Sequence, residues 1–547
     1  NLLKQNNISE QYIGNTLTSF LPIIISASFK GDKFDKSEFI NVLLNSNTNF
    51  SQINLADQKL IINKLDNLII DFIKKYIIPN IKEKIFSNSF FWGASTSAYQ
   101  TEGFLNKGGQ GISQWDPWSE IPGNIVDGSN AQFTCNSYLQ MDDLINMILN
   151  TGCNSFRFSI SWTRIFPFGK GQINQEGVDH YNFLINKLIE NNITPFVCLY
   201  HWDLPIALSK DYNGWLCENG EIWEDFSNYA DFCFNTYGDR IKHWITINEP
   251  QTISVDCYEY NYQAPGIGNS DGNSPFGWEY KVGHNLLLSH AYAVNIYRKK
   301  YSFQHGKIGI ICNMDWGEPL TKCKENIEAA ERRNVFWGGW FYDPIFFGNY
   351  PQLMIDLVGN RLPKFTPEQQ LLIQGSIDIF YLNNYSAEYI YAQKQTIPGW
   401  MYDQQNVQTY TGTDGELIGP QTAASWLHIV PYSPKKVLLW FQERYSFNGK
   451  GSGIGIYKKG KIEELDIMIT EQGMPIINQD QSTSYEEARH DQERINYYES
   501  YLKNIAEAIE IGGLRFKGYF PWSLIDNWEW ANGFTERFGL NYLQDTS

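Results

Sequence analysis

Eight short β-rich runs, separated by helical patterns, predict an α/β protein: a (β/α)8 TIM barrel with an N-terminal helical extension. The runs are FFWGAST (90–96), SFRFSISW (155–162), TPFVCLYHW (194–202), HWITINEP (243–250), KIGIICNMDW (307–316), DIFYLNNYS (378–386), DIMITEQG (466–473) and GYFPWSLID (518–526). Aromatic and β-branched residues dominate them, as suits a packed, pleated surface. Between them, stretches such as YLQMDDLINMILNTG, VDHYNFLINKLIENN, EIWEDFSNYADFCFNTYG, GHNLLLSHAYAVNIYRKKY and SYEEARHDQERINYYESYLKNIAEAIEIGG repeat apolar residues at helical spacing. Eight parallel strands are the number that closes a barrel. An open doubly wound sheet wants a glycine-rich phosphate turn after its first strand, and Gly93-Ala94-Ser95-Thr96 is not G-x-G-x-x-G.

Taken in order, residues 1–85 form a separate region, rich in Asn, Ile, Lys and Leu and without Trp. KSEFINVLL and LADQKLIINKLDNLIIDFIKKY show helical spacing, and the region reads as a structural cap or docking element. Residues 86–547 carry the barrel, longer than the roughly 250 residues of a minimal one. The excess falls in loops. The largest, 387–433, has little periodicity and suits a rim over a pocket.

Composition narrows the partners. The net charge of −17 argues against nucleic acid or an anionic membrane, which call for a basic face. The apolar run LPIIISASF (21–29) is too short to span a bilayer. Aromatics make up 16% of the chain, enough for a large core and equally for the flat faces that suit sugar rings. The eight cysteines show no C-x-x-C pair, and the His are too few for a metal cage, so neither a metal nor an organic cofactor is called for. Cys153, Cys198 and Cys312 lie in or beside strands and read as buried thiols, with disulfides left open.

In a β/α barrel the carboxyl ends of the strands face the site. HWITINEP shows what such an end holds: Pro250 stops the strand and leaves Glu249 at the tip of an apolar run, a costly place for a charge that is neither paired nor used. Thr470 and Glu471 close the seventh strand in the same way. Two carboxyls at strand ends are the minimum for cleaving a glycosidic bond, one holding a proton and the other ionised. Arg157, within the second strand, offers a guanidinium to one of them, and the Tyr385 hydroxyl can orient it. Gln100, His201, Asn248 and Glu529 supply short polar arms, Trp522 and Trp530 apolar faces, and Trp202 follows His201 at the end of the third strand. Each of these has a bland structural reading when taken alone. Their coincidence at one end of eight strands favours a site.

These residues carry a resemblance to glycoside hydrolase family 1, the β-glucosidase family, from about Phe90 to Asp545. SAYQTEG (97–103), FRFSISW (156–162), LYHWDLP (199–205), TINEP (246–250), ITEQG (469–473) and DNWEWANGFTERFGL (526–540) match its motifs in order. The resemblance implies a retaining β-glycosidase acting on a small neutral β-glycoside. Glu249 would be the acid/base and Glu471 the nucleophile, with Arg157 and Tyr385 supporting Glu471. Gln100, His201, Asn248, Glu529 and Trp530 would hold the sugar over Trp522, and Trp426 would stack on the leaving group. Transglycosylation and a catalytically weak, binding-only relative are the rival readings.

Three departures stand out. Gln472 replaces the Asn of the usual Glu-Asn-Gly, Asn384 stands where a second tyrosine is usual, and TCNSY (134–138) replaces Cys-Asp-His-Tyr. The carboxylate itself is kept, so activity is expected with altered packing behind it. The family's last helix is not present after FGLNYL, and residues 1–85 are the candidate to replace it.

Overall fold

The computed structural model describes Phe86 and residues 89–268, 276–449, 451–458, 460–477, 479 and 483–543. The chain divides into two compact units, 1–88 and 89–547. The expected helical extension and its boundary at residue 85 lie outside the described residues.

The first seven apolar runs form strands a little shorter than the run, while the eighth, 518–526, gives only its first two residues to a strand that starts at Phe516: β1 (Phe91–Ser95), β2 (Ser155–Ser159), β3 (Thr194–Tyr200), β4 (His243–Asn248) and β5 (Lys307–Asn313). Next come β6 (Trp316–Pro319), β7 (Ile379–Asn383), β8 (Ala387–Ala392) and β9 (Asn406–Thr409). The last are β10 (Gly455–Lys458), β11 (Lys461–Glu464), β12 (Asp466–Glu471) and β13 (Phe516–Tyr519). Eight of them close a barrel in the order β1-β13-β12-β7-β5-β4-β3-β2, with every neighbouring pair parallel. The expected (β/α)8 barrel is therefore present.

One expectation needs correction. The run 307–316 is not one strand: β5 ends at Asn313 and β6 leaves the barrel. The stretch 387–433 carries β8 and β9, which join β6 in a three-stranded side sheet, and its Trp400, Gln408 and Trp426 line a cavity, as a rim over a pocket would. Alternation over so few residues is a weak signal, and here tertiary pairing decides.

The barrel lumen explains why the chemistry sits at one end. Phe196, Cys198, Ile245, Ile311, Ile379, Tyr381 and Met468, from β3, β4, β5, β7 and β12, pack with Phe520, just after β13, into one buried cluster. Inward residues repeat every second position. On β7, Ile379 and Tyr381 are followed two residues on by Asn383, so the lumen turns from apolar to polar at the carboxyl ends.

The outer layer follows the helical patterns, with helices at Met141–Asn150, Gln175–Glu190, Glu221–Tyr237 and Trp278–Ile296. The long pattern from 484 breaks in two, Tyr485–Arg489 and Gln492–Gly512, because the Asp491 side chain accepts from Arg494 N and starts a second helix. All eight cysteines are free. Cys198 and Cys312 are buried, while Cys153 is half-buried. No helix among the described residues is long and apolar enough to cross a membrane.

Candidate active site

Both strands that end in the key carboxyls carry a bulge just before the turn into the site. On β12, Ile469 pairs with Leu382 and Glu471 with Asn383, so two steps of β12 pass one step of β7. Met468 faces the lumen, so strict alternation would turn Glu471 away from it; the extra residue turns it inward. On β4, Ile245 pairs with Gly309 and Asn248 with Ile311, three steps against two, and Asn248 is re-aimed in the same way.

Glu249 follows with φ 52° and ψ 64°, the left-handed region, and Pro250 opens a short helical turn. Trp202 (φ 78°) and Trp530 (φ 53°) share this conformation. Non-glycine residues held there cost energy, and such positions cluster at functional sites. Gly473 meets a different demand: a Cβ there would lie 1.8 Å from the Trp522 carbonyl oxygen. This close approach lets Trp522 N donate to Gln472 O at 2.9 Å, locking the two strand ends together.

The polar groups form one connected network. Arg157, fully buried, ion-pairs through Nη1 with Glu471 Oε1. Its Nη2 donates to Asn248 Oδ1 at 2.8 Å. The Tyr385 hydroxyl donates to Glu471 Oε2 at 2.8 Å. Asn383 Nδ2 donates to Glu249 Oε1 at 2.6 Å and reaches the same Asn248 Oδ1 at 3.2 Å. One amide oxygen thus ties the anchors of both carboxyls together. Thr252 Oγ1 donates to Glu249 Oε2 at 2.9 Å.

Burial, then the nearby charge of Glu471, pushes the Glu249 carboxyl up to about 8, against the opposing pull of Asn383, Thr252 and Arg157. At neutral pH it therefore holds a proton. Burial, reinforced by the Arg157 charge, holds His201 well below the usual histidine range, so its ring is neutral. Gln100 Nε2 donates to Glu529 Oε2 at 3.2 Å and to Asn527 Oδ1 at 3.1 Å. Burial and the neighbouring Glu536 and Glu471 carboxyls raise Glu529.

Ten of the twelve residues singled out in the sequence line a single cavity of about 790 Å³: His201, Trp202, Asn248, Glu249, Tyr385, Trp426, Glu471, Trp522, Glu529 and Trp530. Gln100 and Arg157 are buried and act on it through Glu529 and Glu471. Trp202 stacks on Trp530 at 4.6 Å, and Trp426 stands edge-on to Tyr385 at 5.6 Å. Sequence reasoning assigned no role to Asn383, Thr252 or Asp315. Asp315 Oδ1 accepts from the backbone N–H of Tyr385 and Ser386, both at 2.8 Å, and so fixes Tyr385. Asn383 and Asp315 each lie at or just beyond the end of a barrel strand, and that position was the available signal. A protonated carboxyl and an ion-paired carboxylate in one cavity are the equipment for acid-assisted displacement at a glycosidic carbon.

Comparison with known proteins agrees with this chemistry. The family model for glycosyl hydrolase family 1 matches residues 82–547. The chain is 40% identical to beta-glucosidase 34 of Oryza sativa subsp. japonica, over 85% of this chain and 89% of that protein. It is 41% identical to beta-glucosidase 42 of Arabidopsis thaliana, over 84% and 89% respectively. Among solved structures, the rice Os3BGlu6 beta-glucosidase superposes with a TM-score of 0.79 at 38% identity, covering 85% of this chain and 95% of that one. A mutant of the same rice enzyme, with the same TM-score, identity and coverage, is solved in a covalent complex with Glc. The family 1 beta-glucosidase of the fungus Humicola insolens, in complex with glucose, gives 0.78 at 38% identity, covering 84% and 94%.

Proposed function

Because the chain belongs to glycosyl hydrolase family 1 and is a β-glucosidase-like O-glycosyl hydrolase, we propose that it is a retaining enzyme removing terminal non-reducing β-D-glucosyl or related neutral residues by double displacement. Glu471 attacks the anomeric carbon as the bond to the leaving oxygen breaks, and Glu249 gives that oxygen its proton. Glu249, now a carboxylate, takes a proton from water, whose oxygen displaces Glu471 and releases the sugar with its configuration kept.

The observation that carries this reading is the unequal state of the two carboxyls: Glu249 is raised to about 8 and protonated, while Glu471 is paired with Arg157 and held by Tyr385. The covalent Glc complex of the rice relative supports the intermediate. In the first step Glu249 loses its proton, and the donors Asn383 and Thr252 stabilise the charge that appears. Arg157 and Tyr385 hold the Glu471 oxygens in place, so that attack needs little reorganisation.

In this reading Glu529 and its partner Gln100, with His201 and Asn248, take the glycone hydroxyls, Trp522 and Trp530 face the ring, and Trp426 stacks on the leaving group; their gathering at one cavity supports it. No Lys or Arg is among the described residues lining the cavity, so a phosphate there would lose its water without gaining a cation. The glycone is accordingly neutral, and aryl β-glucoside should be hydrolysed in preference to its 6-phosphate. Following the anomer released from aryl β-glucoside by proton NMR tests the mechanism. The β-anomer must appear first; an initial α-product means inversion and removes Glu471 as nucleophile.

A further inference from the structure

The turn that carries Tyr385 is laced to residues 314–316, which join β5 to β6. Met314 N donates to the Asn383 carbonyl at 3.0 Å, and Trp316 N donates to the Ser386 carbonyl at 3.3 Å. Between these two bonds the Asp315 side chain reaches across. Its Oδ1 accepts from Tyr385 N and from Ser386 N, each at 2.8 Å. Two successive peptide N–H groups converging on one carboxylate oxygen form a stiff clamp, and the charge makes each bond stronger than one to a carbonyl. Burial raises the Asp315 carboxyl, and these two N–H groups, with the Arg333 charge, oppose that rise. The clamp is also held from behind. Arg333 Nη1 donates to the Asp315 carbonyl, and the same guanidinium pairs with Glu388 on β8.

Tyr385 is pinned at its other peptide end, where the Tyr501 hydroxyl donates to its carbonyl at 3.1 Å. Its ring stands edge-on to Trp426 at 5.6 Å and to Phe538 at 6.2 Å. Its hydroxyl ends on Glu471 Oε2 at 2.8 Å, while Arg157 takes Oε1. The aromatic ring is a rigid lever between backbone and hydroxyl. A tilt of about 10° at the backbone moves a tyrosine hydroxyl by roughly 1 Å, and a misplacement of that size costs up to about 10²-fold in rate. Where the Tyr385 peptide is clamped therefore decides whether the hydroxyl meets Glu471.

We propose that Asp315 is a positioning residue for the nucleophile: by clamping the Tyr385 and Ser386 N–H groups it aims the Tyr385 hydroxyl at Glu471 and so governs how fast Glu471 attacks. The inference rests on the glycosidase reading and adds to it the residue that sets the nucleophile's partner.

The test uses the full chain and 2,4-dinitrophenyl 2-deoxy-2-fluoro-β-glucoside. A Glu471 oxygen bonds to the anomeric carbon, and the dinitrophenolate leaves with the bonding pair and needs no proton. The rate of inactivation thus reads the attack by Glu471 without help from Glu249. Asp315→Ala should slow it at least about tenfold. Asp315→Asn, whose side-chain oxygen still accepts from both N–H groups, should stay within about threefold of the parent. In a Tyr385→Phe background, where the hydroxyl is already gone, Asp315→Ala should cost less than about twofold. If the alanine variant does not fold, Asp315→Glu, which keeps the charge and displaces the oxygen, takes its place in both backgrounds with the same expectations. An equal loss in both backgrounds, no loss from Asp315→Ala, or Asp315→Asn as slow as Asp315→Ala overturns the inference while the glycosidase reading stands. A parent enzyme that is neither inactivated nor active on aryl β-glucoside overturns both.

Discussion

Gln472 Nε2 donates to both the backbone carbonyl and the Oδ1 of Asn384, each at 3.1 Å. These are two of the three departures from the family motifs, and they are each other's partners. Gln472 Oε1 also accepts from the Tyr519 hydroxyl at 2.8 Å, and Asn384 N donates to the Glu471 carbonyl at 3.2 Å. Both side chains are fully buried. The longer amide at 472 reaches a shorter residue at 384, and between them they fix the backbone that carries Glu471.

Shortening Gln472 to the more usual Asn should therefore destabilise this protein. Gln472→Asn withdraws the amide from Asn384 and Tyr519 and leaves buried groups unmatched, at about 1–3 kcal/mol. Asn384→Ala removes the same contact from the other side. Because the residues touch, the double variant should fall short of the sum of the singles by at least about 0.5 kcal/mol. Denaturant unfolding of the four proteins measures this, and additive losses would show that the contact contributes nothing.

Arg157 allows structure and catalysis to be separated. Arg157→Met leaves the Glu471 carboxylate buried without its partner, a loss of about 3–5 kcal/mol, and turnover should fall with it. Adding Glu471→Gln removes the orphaned charge, so stability should partly return while turnover stays absent. If stability fails to recover, the single-variant loss came from packing rather than charge.

The barrel and ten cavity-lining residues were legible because strand-end positions are local: Pro250 and the apolar run before it place Glu249 at a strand tip without reference to anything distant. The bulges on β4 and β12 were not legible. They exist only as a mismatch of register with β5 and β7, which no single run encodes. Thr252 was missed for a related reason. Its hydroxyl matters only once Pro250 starts a turn that folds it back onto Glu249. The strands β8 and β9 were missed because their partner β6 splits off from a run read as one strand.

Thermal stability should fall as pH rises from 5 to 8. Burial first of all pushes Glu249 and Asp203 up to about 8 and Asp256 and Glu536 up to about 7, and it raises Glu259 and Glu279 as well. In the unfolded chain these carboxyls titrate near 4. Between the two limits the folded protein holds protons that the unfolded chain has released, so raising the pH favours unfolding through them; the buried histidines, held neutral in the fold, oppose this below about pH 6.5, so the fall is steepest above it. Calorimetric Tm should be higher at pH 5 than at pH 8; a flat or rising Tm over this window would mean that these groups are not protonated when buried.

The pH profile of turnover should respond to Thr252 alone. The alkaline limb of kcat/KM reports loss of the proton that Glu249 gives to the leaving group, and it is expected near pH 8. Thr252 Oγ1 donates to Glu249 Oε2 and itself receives Asn313 Nδ2 at 2.9 Å, which leaves the single hydroxyl proton directed at the carboxyl. That bond favours the charged form of Glu249. Thr252→Val keeps the shape and removes the donor, so Glu249 should hold its proton to higher pH and the alkaline limb should move upward. The second step, in which Glu249 must be a carboxylate, should slow, most visibly for aryl glucosides whose acidic phenols leave without help. KM for the glycone should change little, because Thr252 bonds to Glu249 and Asn313 rather than to sugar-binding groups. An alkaline limb that stays in place, with kcat and KM falling together, would show that the hydroxyl serves packing alone.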